Sequence, residues 1–454
     1  LKPREIHDEV GGSGLGNKKG LIIIFVLFFL SGFLVTVLNY RPRVKLGDRY
    51  IYCNPNAKLK KDQIYKLQLW DTNWPVLQEG DYSKYLTRLV RDFQKQYPNV
   101  QVRIRLMDLW HGPEQLAAAL KANSAPDVYC SAFSIPKFHW KRQIPVGFYL
   151  KREEKEAYFP EVRRLVSRYG VECYLPRWIA PTIWVGNQVL FDAVKLPRFP
   201  MQTPGYSWEE LISGSKKLSK SKYLLVGNLG HNGFFTDLTV DFGAGIGADG
   251  NILSPKGMLK SLHYLNDLIG QRRIPTDLES NMLGRFMAGD SLLLAGVRPV
   301  MYRFVKWKLS GLGEENKPYE PVIIPPPGVG SKRFLLTENG VICVYRNRWT
   351  TGDDQISAAV KLAQFISVYE QTQPFQEMML IPAARKNARQ WCRALAPQVG
   401  DVSSLLDLIE NRSLINMPDY RMYQKEIYPV LQEFFARKAS YETVRDRLGN
   451  VVWK

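Results

Sequence analysis

The chain has 454 residues, 45% of them hydrophobic and 23% charged, the profile of a folded protein rather than a disordered one. That length allows one large bilobal unit or two to three domains. The formal charge of +19 is spread along the chain, with no basic run of five or more, no zinc-finger spacing and no RRM-like aromatic motif, so it reads as a solvated basic surface rather than a nucleic-acid interface.

Residues 1–20 are polar and contain Gly11-Gly12-Ser13-Gly14, a flexible tail by composition. Leu21–Leu38 carries no charge and would span ~27 Å as a helix at ~1.5 Å per residue, close to the ~30 Å hydrocarbon core of a bilayer. It ends without a small-x-small cleavage site and has no cysteine just after it. The expectation is an uncleaved single-pass anchor, with a cytoplasmic tail at 1–20 and the large domain outside the cell membrane. Lys2, Arg4, Lys18 and Lys19 precede the span and Arg41, Arg43, Lys45 and Arg49 follow it, so the flanking charge gives that orientation no support. Residues 39–64 read as a stalk.

The globular part opens with an alternating strand, Tyr65–Trp70, and a turn-rich loop, Asp71–Pro75. Tyr82–Tyr97 is an amphipathic helix, with Tyr85, Leu89, Phe93 and Tyr97 every four residues. Val100–Leu106 is a second alternating strand, Glu114–Ala122 a short helix, and Pro126–Tyr129 the start of a third strand leading to Cys130–Ser134. This β-α-β-α-β order predicts an α/β fold with a largely parallel sheet. Ligands of such sheets bind outside the carboxyl ends of the strands, where the loops Asp71–Trp74 and Ser131–Ser134 fall.

Leu175–Leu211 reads as the chain leaving one lobe and starting another. It holds an apolar strand at Thr182–Val185, a helix start at Asn187, and Ser207 with Glu210 three residues later as a capping box. Beyond it come a strand at Tyr223–Val226, an aromatic turn at His231–Phe235, a helix over 235–243, a hairpin-type turn at Ala248–Asn251 and a helix at Pro255–Leu268. Then follow an apolar strand at Leu292–Ala295, the Gly296–Pro299 loop, a strand at Val322–Ile324 running into three prolines, a strand at Asn339–Tyr345 and a helix at Ser357–Tyr369. Helices at Ile427–Arg437 and Tyr441–Arg447 end the chain.

Six segments in order resemble the extracellular solute-binding proteins of ABC importers, of the maltose-binding-protein-like group. They are Phe93–Val102 (FQKQYPNVQV); Ala125–Tyr129 (APDVY); Leu175-Pro176 with the run to Leu211; Phe286–Asp290 (FMAGD) before Leu292–Ala295; Pro325–Pro327 before Gly340–Ile342; and Ala358 to Ile366 with Ile381-Pro382-Ala383. The resemblance covers about Tyr65 to the C-terminus. It implies a two-lobe periplasmic-binding-protein-like fold with a hinge and an interlobe cleft. Lobe one would be about 65–177 and 280–322, lobe two about 178–279 and 323–400, with the helices of 401–454 packing back toward lobe one.

The same resemblance implies a receptor that closes on a sugar or oligosaccharide and delivers it to the transmembrane subunits of an ABC permease. Sugars present flat CH faces and a fringe of hydroxyls, so their sites combine aromatic platforms with carboxylates, amides and arginines. At matching positions stand Asp71 and Trp74 after the first strand, Ser131 and Phe133 after the third, and Trp178 on the crossing segment. Phe234, Arg298, Tyr302, Tyr420 and Tyr423 complete the expected ligand-binding set. Trp184 and Trp208 read as scaffold. Glu338 departs from the Gly-rich sequence usual there, which leaves the role of Thr337–Gly340 open.

The five cysteines and five histidines form no CxxC, HxH or HExxH. No metal site and no cofactor are expected. Asp71 with Asp127 or Glu210 could form a glycosidase pair, but without a Ser/His/Asp order or phosphate loop the chain does not read as an enzyme. Two other roles fit the same fold: a ligand sensor coupled to a membrane signalling partner, and an exported glycan-binding protein.

Overall fold

The computed structural model describes residues 25, 26, 28, 31, 42–75, 82–109, 111–196, 205–230, 233–242, 255–277, 281–328, 334–369, 373–417 and 420–450. The expected anchor at 21–38 and the turn at Ala248–Asn251 lie almost wholly outside them; Phe25, Val26, Phe28 and Ser31 are helical. Among the described residues no helix is long and apolar enough to cross a membrane. The chain divides into compact units at 1–54 and 55–454.

Part of the segment expected as a stalk is ordered. In the first unit, β1 (Arg43–Leu46) and β2 (Arg49–Tyr52) pair antiparallel, Arg43 opposite Tyr52. Gly47 takes the positive φ that their two-residue turn requires.

The second unit is built on two sheets. The larger contains β3 (Tyr65–Thr72), β4 (Val100–Met107) and β5 (Val128–Cys130), all parallel. The short β6 (Gln143–Ile144) lies further along, and β7 (Ser167–Arg168) and β8 (Val171–Glu172) form a separate hairpin. The chain then passes through β9 (Leu175–Pro181) into β10 (Ile183–Asn187). Every residue of both strands is buried, as expected of apolar strands covered on both faces. Between them the Thr182 N–H donates to the Leu336 carbonyl, 2.8 Å.

The smaller sheet has the order β11 (Tyr223–Gly227), β12 (Ser291–Val297), β10, β13 (Pro321–Ile324). The larger is completed by β14 (Phe334–Tyr345), β15 (Ile381–Pro382) and β16 (Ser413–Asn416), giving the order β15-β9-β14-β5-β3-β4, with β6 and β16 also on β14. β4-β3-β5 and the β14-β16 pair are parallel; β14 runs antiparallel to β5 and β9. The chain therefore crosses between sheets three times: at Pro181-Thr182, between β13 and β14, and after β16.

These pairings redraw the expected lobe boundaries. Segment 280–322 belongs to the second lobe, because β12 pairs with both β10 and β11. Residues 334–400 belong to the first, because β14 lies between β5 and β9 and the helix Asp353–Ser367 packs on that sheet. The helices Tyr428–Phe435 and Tyr441–Gly449 pack into the second lobe's core rather than back toward the first. That core gathers Trp184, Trp208, Phe234, Leu293, Leu431 and Leu448. Each such Leu or Phe contributes about 1.5–3 kcal/mol relative to leaving it exposed.

Local signals are realised where expected. Asn187 caps the helix Gln188–Ala193 by accepting from the Leu190 N–H. Ser207 and Glu210 form the reciprocal capping box of the helix Trp208–Ser215. Trp208 is scaffold: its ring meets Trp184 edge-on with centroids 5.4 Å apart.

Candidate functional site

The junction of the two sheets carries a cluster of aromatic and charged side chains. Trp74 follows β3, Phe133 follows β5, and Trp178 lies on β9 opposite Gly340 of β14. Their rings meet edge-on, with centroid separations of 5.3 Å (Trp74–Phe133), 5.6 Å (Trp74–Trp178) and 6.0 Å (Phe133–Trp178). Trp178 fits because its partner has no side chain: a Cβ on Gly340 would lie 2.1 Å from the Trp178 Nε1.

The second lobe reaches this cluster through Arg298, the residue after β12 that caps the helix Pro299–Ser310. Its guanidinium sits over the Phe133 ring, 4.5 Å from the centroid. Its Nη2 donates to the Glu338 Oε1 at 2.6 Å. Glu338 lies on β14 opposite Ala180, next to the first crossing. Arg298 and Glu338 thus bridge the lobes beside the hinge peptide. Burial raises the Glu338 carboxyl above its usual range, and the Arg298 guanidinium offsets part of that rise.

Beneath the cluster lies a second ion pair. Asp71 accepts from the Arg177 Nη1 at 2.9 Å, from the Tyr82 hydroxyl at 2.9 Å and from the Thr72 N–H at 2.8 Å. The Arg177 Nη2 donates to the Tyr82 hydroxyl at 2.8 Å. Both side chains of the ion pair are 1% exposed. Burial raises the Tyr82 hydroxyl well above its ordinary range, so it stays protonated. This triad ties the end of β3 to β9 and so fixes Trp74 relative to Trp178. Asp71, expected to contact ligand, is instead committed to the interior, because β3 turns it inward onto Arg177.

The other expected ligand-binding residues divide in the same way. The Ser131 Oγ accepts from the Val341 N–H at 3.1 Å and fastens the end of β5 to β14. Phe234 packs in the second lobe's core, its ring edge-on to Trp184 with centroids 6.2 Å apart, away from the aromatic cluster of the first lobe. Tyr302 is buried one helical turn beyond Arg298, with the Lys306 ammonium 5.9 Å from its ring centroid, apart from the aromatic cluster. Tyr423 is buried and its hydroxyl donates to the Leu229 carbonyl at 2.8 Å, anchoring the third crossing onto the second lobe. Tyr420 is 42% exposed. The structure therefore brings together Trp74, Phe133, Trp178 and Arg298 from the expected set.

Glu338, Arg177 and Tyr82 were not in that set. Glu338 and Arg177 carried a usable signal, since a charge inside an apolar strand must find a partner. Asp127 and Glu210 are also engaged structurally. The Asp127 Oδ2 accepts from the Gln68 N–H at 2.8 Å, its Oδ1 from Gln355 and Asn347, and Glu210 closes its capping box. All five cysteines are buried free thiols, and among the described residues no three His, Cys, Asp or Glu side chains gather as a metal site.

Solved structures with this architecture include the sugar-binding protein MalE of Xanthomonas citri, 18% identical, with a TM-score of 0.64 over 85% of this chain and 95% of that one. The chain has the fold of these solute-binding proteins. A cyclic alpha-maltosyl-1,6-maltose binding protein of Arthrobacter globiformis is 14% identical, with a TM-score of 0.57 over 85% of this chain and 97% of its own. The GacH receptor of Streptomyces glaucescens, solved unliganded and with acarbose, is 15% identical, with a TM-score of 0.55 over 86% of this chain and 97% of its own. No protein-family model matches the chain, and no curated protein matches it by sequence. In the solute-binding-protein fold two α/β lobes close on each other about their connecting strands. Here the Trp74–Phe133–Trp178 cluster and the Arg298–Glu338 pair stand beside the first of those connections.

Proposed function

We propose that the chain is an extracytoplasmic receptor that captures a sugar or oligosaccharide between its lobes and delivers it to an ABC permease. One observation carries this reading: a cluster of three aromatic side chains in the first lobe is met, at Phe133, by an arginine of the second that is paired with a carboxylate at the hinge. Aromatic rings suit the CH faces of a sugar, and the Arg–Glu pair suits its hydroxyls. The solved proteins of the same fold include binders of maltose-type sugars and acarbose. Ligand touching both lobes stabilises the closed arrangement by its higher affinity for that state. The apolar stretch 21–38 tethers the receptor to the membrane, and retention of the full chain in carbonate-washed membranes tests the tether.

Thermal-shift screening of residues 55–454 against mono- and oligosaccharides tests the binding. A saccharide present at a hundred times its Kd should stabilise by ~2.7 kcal/mol. Shifts with peptides or polyamines and with no saccharide would overturn the sugar assignment and leave the fold untouched.

A further inference from the structure

The cluster beside the hinge carries N–H donors that the protein does not use. The indole Nε1 of Trp74, the indole Nε1 of Trp178 and the Nε of Arg298 are buried and meet no acceptor in the protein. The two tryptophans are 3% and 0% exposed. Buried N–H groups are normally satisfied, and three gathered at one cluster can donate to a ligand's oxygens.

Formal charge, by contrast, is already balanced there. Arg298 is matched by Glu338, itself 5% exposed. The pair below, Arg177 and Asp71, is matched within the protein as well. An anionic ligand on Arg298 would share a buried site with the Glu338 carboxylate, and like charges so placed disfavour each other. A hydroxyl has no such conflict. Its oxygen accepts from an indole or guanidinium N–H while its proton goes to Glu338. The +19 charge of the whole chain acts the other way, attracting acidic ligands.

We propose that Glu338, by neutralising Arg298 at the hinge, makes the cleft select neutral saccharides over their acidic, uronate counterparts. This rests on the sugar-binding reading and names the substrate class within it. The selecting residue is a carboxylate inserted in an apolar strand, and Arg298 is the second lobe's contribution to the same contact.

The test is calorimetric titration of the full chain in detergent with matched probes, neutral mono- to tetrasaccharides and their C6-oxidised uronates. The wild-type protein should bind the neutral member at least about tenfold more tightly. Glu338→Gln keeps the size of the side chain but leaves the Arg298 charge unmatched. It should weaken neutral binding and strengthen uronate binding, moving the ratio by about tenfold or more. Arg298→Gln should weaken binding of the neutral probes. Each variant's melting temperature establishes that it is folded, and Glu338→Asp, which keeps the charge, should retain the neutral preference. A wild-type preference for uronates, or an unchanged ratio in folded Glu338→Gln, overturns the assignment of Glu338 while sugar binding stands. Absence of binding to every probe by the folded wild-type protein overturns the sugar-binding reading, and this inference with it.

Discussion

Asp71→Ala is expected to destabilise residues 55–454 by about 3–5 kcal/mol, because it strands the buried Arg177 guanidinium without its counter-ion. Arg177 and Asp71 are each 1% exposed, so water cannot compensate. Tyr82→Phe should cost less, about 1–3 kcal/mol, since it removes one hydroxyl partner and leaves the charges paired. Asp71→Leu combined with Arg177→Met should recover much of the loss, because an apolar pair of similar volume carries no desolvation penalty. Urea unfolding measures all three. A loss below about 1 kcal/mol for Asp71→Ala would mean that the triad does not fasten β3 to β9.

Gly340→Ala should abolish ligand binding while the domain still folds. The new Cβ would lie 2.1 Å from the Trp178 Nε1 and 2.2 Å from its Cε2, so the indole must leave its place. Overpacking of this kind costs about 1–3 kcal/mol, which a domain of this size can absorb. Trp178 cannot move alone, because its edge is packed against Trp74 and Phe133. The aromatic surface facing Arg298 is therefore lost as a unit. Unchanged saccharide binding by Gly340→Ala, with a folded melting profile, would remove Trp178 from the site.

Much of the first lobe was legible because its signals are local. The alternation of Tyr65–Trp70 and of Val100–Leu106, and the four-residue spacing of Tyr85, Leu89 and Phe93, each specify an element without reference to the rest of the chain. The Ser207–Glu210 box did the same for a helix start. The lobe boundaries were not legible. Leu292–Ala295 is apolar throughout and would suit either sheet, and only its register with Ile183–Asn187 and Tyr223–Gly227 places it in the second. The same holds for β14, whose position between β5 and β9 depends on residues roughly 160 to 210 positions away.

The site was legible in residue type more than in direction. Asp71 and Trp74 lie three residues apart at one strand end, yet one is turned onto Arg177 and the other into the aromatic cluster. Phe234 and Tyr423 have the right chemistry, but the helices that carry them direct both into the second lobe's core. Glu338 stood out only as a departure from the sequence expected around it. What gives it meaning is Arg298, forty residues earlier in the chain and on the other lobe.

The most direct test of the central claim is hydrogen exchange on residues 55–454, with and without a saccharide found by the thermal screen. Closure of two lobes on one ligand should slow exchange at segments of both sheets together: 70–75, 129–134 and 176–182 in the first lobe, 296–300 in the second, and 336–341 where β14 begins. Protection confined to one lobe, or lying away from all five segments, would contradict a sugar-binding cleft at Trp74, Phe133, Trp178 and Arg298.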